Sequence, residues 1–285
     1  MTSDSNNSKY ILFMVVSMAG FAIEDAVIKQ LALDLPISQV LMLIGLTGGG
    51  MFWVMARLRS VHLLHASMAT RKFVVRSFCE LGAAISFVTA IVYASLGASS
   101  AILQATPLAV ALGGMLFLKQ SVSARQWFVI LIGFCGVILI IQPGMQGFHP
   151  ASLLAVLSVL FLATRDLITR SIASSIDPIA ISFWSFFALF VAGIVTIPLY
   201  GTFGPIQGSH AGLLVLSMIA GTGAYLAVVM ATRGGDVAVV APFRYSRLVF
   251  AMVLAVVFFD EAITWPIVAG SALIVGSGLL TLRAG

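Results

Sequence analysis

Ten apolar runs divide the chain, at approximately 10–31, 36–56, 73–95, 98–117, 124–141, 150–171, 177–200, 210–231, 236–259 and 264–283. Short polar, Gly- or Pro-containing stretches separate them, the longest running from Arg57 to Lys72. Each run approaches the length of about 20 residues that an α-helix needs to cross a bilayer. The pattern predicts an all-α, polytopic membrane protein of ten transmembrane helices. The polar tail, residues 1–9, leads straight into a full-length run, so a cleaved secretory signal is not expected.

Composition agrees and excludes other classes. Of 285 residues 60% are hydrophobic and 9% charged, with a mean hydropathy of +1.11. Soluble domains carry roughly 25% charged residues. This chain has too few to cover a surface facing water, which excludes a soluble enzyme, a nucleic-acid binder and a disordered module. Its pI of 9.6 reflects 15 Lys and Arg scattered over loops rather than gathered in a patch. Ten spans use about 200 residues, leaving no room for a sizeable extramembrane domain. Cys79 and Cys135 lie inside apolar runs and predict packing rather than a disulfide.

The basic residues set an expected orientation. With the N-terminus inside, Lys9, Arg57, Arg59, Arg71, Lys72, Lys119, Arg125, Arg170, Arg233 and Arg283 all fall on the inner side, and Lys29 alone falls outside. Both termini are then cytoplasmic, and a bacterial inner membrane suits such a chain.

A shift of 141 residues superposes the two halves. It brings Glu24-Asp25 onto Arg165-Asp166, Lys29 onto Arg170, Ser17 onto Ser158, Ala22 onto Ala163, Lys119-Gln120 onto Asp260-Glu261 and Val122 onto Ile263. Two five-helix repeats follow, 10–145 and 148–285. An odd number of spans per half inverts the second against the first. Secondary transporters are often built this way, with cargo bound near the midplane where the halves meet.

Eight ionisable residues lie within the predicted spans: Glu24, Asp25, Arg76, Glu80, Arg165, Asp166, Arg244 and Arg247. A central charge costs about 2.5–3.5 kcal/mol on insertion, so these side chains should face protein or a wet cavity. Arg76 and Glu80 are spaced to pair along one helix, as are Asp25 with Lys29 and Asp166 with Arg170. Glu24 and Arg165 hold equivalent repeat positions with opposite charge. Arg247, the deepest arginine, shares a helix face with Arg244 and needs an anion, either Glu80 or a cargo carboxylate. The repeat mate of Arg247 is Thr106, beside Pro107, where a freed carbonyl and the side chains of Gln104 and Thr106 could line the same cavity. Tyr225 and Tyr245 could contact an apolar part of the cargo. Trp53, Trp127 and Trp265 near helix ends suit an interfacial belt, and Gly45 with Gly49 suits close helix packing.

There is no G-x-x-x-x-G-K-[ST], no H-E-x-x-H and no G-x-S-x-G. His62 and His65 lack further ligands. Neither a metal, a cofactor nor an enzymatic activity is expected.

The stretch from Gly235 through Ala241-Pro242-Phe243-Arg244-Tyr245 to Phe259-Asp260-Glu261, and the glycines from Gly270 onward, resemble the second half of the ten-helix drug/metabolite transporter superfamily, EamA type. Asp25-Ala-Val-Ile-Lys29 before Leu35-Pro36 resembles its first half. The resemblance implies a secondary carrier, most often an exporter of amino acids and related metabolites. The expectation is a monomer in the lipid bilayer exporting an aromatic or neutral amino acid. Arg244, Arg247, Tyr245, Tyr225, Glu80, Gln104 and Thr106 would touch cargo. Glu24, Asp25, Arg165 and Asp166 would serve coupling or structural pairing. The alternatives are efflux of lipophilic cations, uptake of another metabolite, or a channel.

Overall fold

A computed structural model describes residues 4–64, 68, 70–118, 124–145, 147–172, 176–201, 203–234 and 237–284; the side chains of 4–6, 117, 118, 124, 125, 170–172, 233, 237, 238 and 281–284 lie outside that description. Among the described residues all regular structure is helical. The helices are α1 (Asp4–Asp34), α2 (Ile37–Leu58), α3 (Arg71–Tyr93), α4 (Leu96–Leu103), α5 (Thr106–Leu118), α6 (Ala124–Ile141), α7 (Ser152–Ile172), α8 (Pro178–Tyr200), α9 (Gly208–Gly234), α10 (Val237–Val240), α11 (Ser246–Phe259) and α12 (Trp265–Ala284). A 3-10 turn, Ala241–Tyr245, joins α10 to α11.

Eight helical stretches among the described residues are long and apolar enough to cross a membrane. One of them runs through α4 and α5 together. The shorter apolar helices Gln126–Ile141 and Trp265–Leu280 bring the crossings to ten, as the apolar runs predict. The chain is a multi-pass membrane protein.

Local chemistry places the helix ends. Asp177 accepts from the Ile179 amide at 2.8 Å ahead of Pro178, which suits the first turn of α8 because its missing N–H is not needed there. Ser95 accepts from the Ala98 amide at 3.1 Å and starts α4. Asp260, in the left-handed region at φ 50°, ends α11.

The broken fourth crossing also has a local cause. Pro107 has no N–H to give the carbonyl four residues back, and the helix opens at Gln104 and Ala105. The Thr106 hydroxyl instead donates to that Leu103 carbonyl at 2.6 Å. The ninth crossing breaks at the equivalent place, where Pro242 sits in the 3-10 turn.

The main helix interfaces are α2–α8, α1–α9, α3–α7 and α6–α12, and each joins the first half to the second. Exchanging the halves sends α2–α8 and α6–α12 onto themselves and α1–α9 onto α7–α3. The symmetry extends to single hydrogen bonds. The Ser17 hydroxyl donates to the Ala224 carbonyl at 2.7 Å, and the Ser158 hydroxyl donates to the Ala83 carbonyl at 3.2 Å. Both partners of the second bond are displaced from those of the first by the same 141 residues found in the sequence. Gly45 lets α2 and α8 meet closely, since a Cβ there would overlap the Phe190 backbone.

At the end of the bundle away from the termini, loops and helix ends are tied across the halves. Gln39 donates to the Gly204 carbonyl at 3.0 Å and accepts from its amide at 2.7 Å. Ser38 donates to the Gly201 carbonyl at 3.0 Å. Cys79 is buried, Cys135 exposed, and both are free thiols. Trp53, Trp127 and Trp265 are exposed on the outside of the bundle.

Candidate functional site: a charged layer between the two halves

The charged side chains of the spans gather where the halves meet. Their pairing differs from the one their spacing suggests. Asp25 and Lys29, one turn apart on α1, do not bond each other. Asp25 accepts from Nη2 of Arg247 on α11 at 2.6 Å, and Lys29 reaches Glu261, between α11 and α12, at 2.5 Å. Both side chains are buried, and their partners come from the other half of the chain rather than from the neighbouring turn of α1. Arg247 thus pairs with Asp25 and not with Glu80. Its guanidinium also lies 5.4 Å from the Phe21 ring and 5.9 Å from the Phe87 ring. Its Nε is buried and has no hydrogen-bond partner among the described residues.

Glu80 is the hub of a second cluster. The predicted pair with Arg76 is present at 3.3 Å. Glu80 also accepts from Arg165 of α7 at 2.9 Å and from Ser185 of α8 at 3.2 Å. Arg165 donates in addition to Asp166 beside it, at 2.8 Å. The expected Asp166–Arg170 pair lies outside the described residues, because the Arg170 side chain is not among them. Arg165 is not paired with Glu24. Glu24 is only 8% exposed and has neither a hydrogen bond nor an ion pair among the described residues.

Arg244 differs from the other three arginines. It is exposed on the 3-10 turn, and none of the described carboxylates forms an ion pair with it. The backbone beneath it is held from the opposite half, where Gln104 Nε2 approaches the Arg244 carbonyl at 3.4 Å and the Tyr245 carbonyl at 3.5 Å. Gln104 and Tyr245 are separated by the same 141 residues as the offset in the sequence, and the two broken helices approach each other there. Tyr245 is buried, with its hydroxyl unbonded among the described residues and set against Gly278.

Tyr225 belongs to an aromatic group. Its ring centroid lies 5.9 Å from Phe52, 6.0 Å from Phe21 and 6.4 Å from Phe186. It also lines a cavity of about 340 Å³ between α2, α8 and α9, whose polar walls are Arg59, Asp177 and Ser182. Its lining residues Arg59, Asp177 and Pro178 lie at the end of the bundle that carries the chain termini.

Glu261 closes the opposite end. Besides Lys29 it accepts from the Ser95 hydroxyl at 2.5 Å and from the Leu96 and Gly97 amides at 2.8 and 3.0 Å. A carboxylate at the positive end of α4 is favourably placed. Burial would raise its pKa, but the bonds from Lys29, Ser95, Gly97 and Leu96 outweigh burial and hold it below the usual carboxylate range. The sequence marks Glu261 through the 141-residue shift and as the end of the stretch that resembles the EamA type. Neither it nor Ser95 stands out as a site residue, because their meeting depends on a loop of the second half reaching a helix start in the first.

Among the described residues no group of His, Cys, Asp and Glu is arranged to hold a metal, and His65 lies outside them.

Residues 149–283 match the model of the EamA-like transporter family. The second half of this chain is an EamA-like transporter domain. The chain is 29% identical over 183 residues to a riboflavin transporter of Rhizobium johnstonii, covering 64% of this chain and 60% of that protein. It is 25% identical over 157 residues to an S-adenosylmethionine uptake transporter of Rickettsia bellii, covering 54% of this chain and 53% of that one. The alignments thus span little more than half the length of these relatives. A solved crystal structure superposes on 94% of the chain, and on 98% of its own, with a TM-score of 0.59 at 18% identity. The EamA-like domain carries Arg165, Asp166, Tyr225, Arg244, Tyr245, Arg247 and Glu261, while Glu24, Asp25, Lys29, Glu80 and Gln104 face it from the first half.

Proposed function

We propose that this protein is a secondary carrier that takes up a small metabolite by alternating access between two inverted repeats, 10–145 and 148–285. The observation that carries this reading is the unpaired Arg244 on a broken helix, beside the crossing of that helix with its broken mate at Gln104. Interrupted helices expose backbone groups and side chains where a bilayer-spanning chain could not otherwise hold polar cargo. Arg244 offers an acidic or carbonyl group of the cargo its only free guanidinium among the described arginines of the layer. Tyr225, Phe52 and the cavity beside them offer a planar ring its partner.

Uptake suits the named relatives better than amino-acid export does. Riboflavin and S-adenosylmethionine both join a planar nitrogen heterocycle to a hydroxylated, sugar-derived group, a combination suited to aromatic walls with a polar end. Efflux of lipophilic cations would need an accessible carboxylate; Asp25, Glu80 and Asp166 are each bonded to arginine, and Glu24, which is not, is buried. The inner membrane with both termini cytoplasmic remains the proposed setting. In that setting the Glu261 ties close the outer end, and the cavity with Arg59 faces the cytoplasm.

The test is counterflow in liposomes holding the pure protein, with labelled riboflavin, S-adenosylmethionine and a panel of aromatic and neutral amino acids. Saturable exchange of a heterocyclic probe, lost in Arg244→Ala with folded protein retained, is the expected result. Exchange of amino acids alone would restore the export reading. Flux without saturation or counterflow would mark a pore.

A further inference from the structure

The repeat symmetry shows what Glu24 lacks. Its mate is Arg165, and the residue bonded to Arg165 is Glu80, at 2.9 Å. The mate of Glu80 is Gly221. At that position α9 presents no side chain, and the Glu24 carboxyl group fills the gap: a Cβ on Gly221 would overlap all three of its terminal atoms. One half therefore holds an ion pair, and the other holds an acid facing a glycine.

The surroundings offer Glu24 few charges. On its own helix Asp25 is bound to Arg247. From α9 the near residues are Gly221 and, one turn on, Tyr225. From α11 and the 3-10 turn come Arg247, Arg244 and the Tyr245 phenol. On α3, Arg76 and Glu80 are engaged with each other, and Glu80 with Arg165. The sequences of α4 and α10 contain no ionisable residue, and α2 has only Arg57, near its far end. A carboxylate without a donor in such a place is costly, whereas a neutral carboxylic acid is tolerated. Arg76 Nη1, Ser217 Oγ one turn from Gly221, the Tyr245 hydroxyl and Arg247 Nε are buried donors unbonded among the described residues, and Nε belongs to the guanidinium that already holds Asp25 beside Glu24.

We propose, resting on the carrier reading, that Glu24 binds a proton that is transported together with the cargo, and that Arg247 Nε is handed between ionised Glu24 and an acceptor atom of the cargo. In the arrangement described, Glu24 is the neutral acid and Nε is free. Loss of the proton breaks the Glu24 O–H bond and gives the proton to water on the open side. No electron is transferred. The resulting carboxylate accepts from Nε–H and so withdraws that donor from the cargo. Protonation returns it. Cargo and proton thus favour the same state of the layer, and each strengthens the binding of the other, which is the condition for symport rather than antiport.

Two measurements test this. The first treats the reconstituted wild-type protein with dicyclohexylcarbodiimide, which modifies protonated carboxyl groups in apolar surroundings, and maps the adduct by peptide mass. Labelling of Glu24 near neutral pH, declining as the medium is made alkaline, is expected. No adduct on Glu24 in folded protein overturns the proposal. The second follows labelled riboflavin and S-adenosylmethionine into liposomes under a pH gradient, acid outside. The wild type should concentrate its probe. Glu24→Gln should keep exchange of labelled for unlabelled probe and lose the response to the gradient. A Glu24→Gln protein that concentrates the probe like the wild type overturns the proposal. If the wild type exchanges no probe, the carrier reading fails, and the carbodiimide result alone decides whether Glu24 binds a proton.

Discussion

Arg247 holds its charge inside the bundle because Asp25 answers it from the facing helix. Removing one member of a buried pair strands the other, at a cost of about 3–5 kcal/mol, while removing both leaves a dry contact. Asp25→Ala should therefore lower the thermal unfolding temperature in detergent markedly, and Asp25→Ala with Arg247→Met should recover most of the loss. An unchanged unfolding temperature in the single variant would mean that the pair contributes nothing. Glu261 makes a pH prediction. Its folded pKa is depressed, so its stabilisation is complete above the ordinary carboxylate value and is lost as pH falls through the folded value. Unfolding temperature should drop with acidification in the wild type, and Glu261→Gln should be less stable near neutrality with a flatter acid limb. Equal slopes for the two proteins would remove Glu261 from this role. The sequence made the ionisable residues legible as a set, because a charge in an apolar run is conspicuous. It did not reveal their partners. Helical spacing suggested Asp25 with Lys29, but each has a better partner in the other half, 222 and 232 residues away.

Elements were more legible than partners. Apolar run length fixes where helices cross, and the structural α6 spans the same residues 124–141 as its apolar run. Pro107 marked the break in the fourth crossing, since a proline withdraws a hydrogen bond wherever it sits. The 3-10 turn around Pro242 lies inside the apolar run 236–259, whose length alone hides the break, although its proline carries the same signal as Pro107. The Gly45–Gly49 spacing indicated close packing, though only Gly45 meets the α8 backbone. Gly45→Val should then force α2 and α8 apart, costing at least the roughly 1–3 kcal/mol of an overpacked core. Gly50→Val on the same helix, where the added Cβ meets open space, should be tolerated. Size-exclusion profiles after heating in detergent would compare them, and similar survival of both would contradict the packing described.

At the scale of the molecule, the proposed alternating access requires the ties at one end to part when those at the other form. The link from Lys29 through Glu261 to the start of α4 joins both halves at the end away from the termini. Lys29→Cys with Glu261→Cys, joined by a short bis-maleimide, should arrest net flux, and cells of the unlinked variant should retain it. Undiminished flux in the linked protein would show that this end need not open. The proposed repeat rests at this scale on a constant offset, which leaves the same mark on many residues. The interlocking of its halves has a consequence for how the protein is made. Ser17 bonds a carbonyl 207 residues downstream. At about 5–20 residues per second the ribosome needs roughly 10–40 s to deliver that partner. Through that interval Asp25 and Lys29 stand in a newly inserted helix whose charge partners, Arg247 and Glu261, have not been synthesised. A chain arrested at mid-length therefore presents naked charges to lipid, and these are the marks by which a membrane protease or insertion chaperone would tell an unfinished molecule from a finished one.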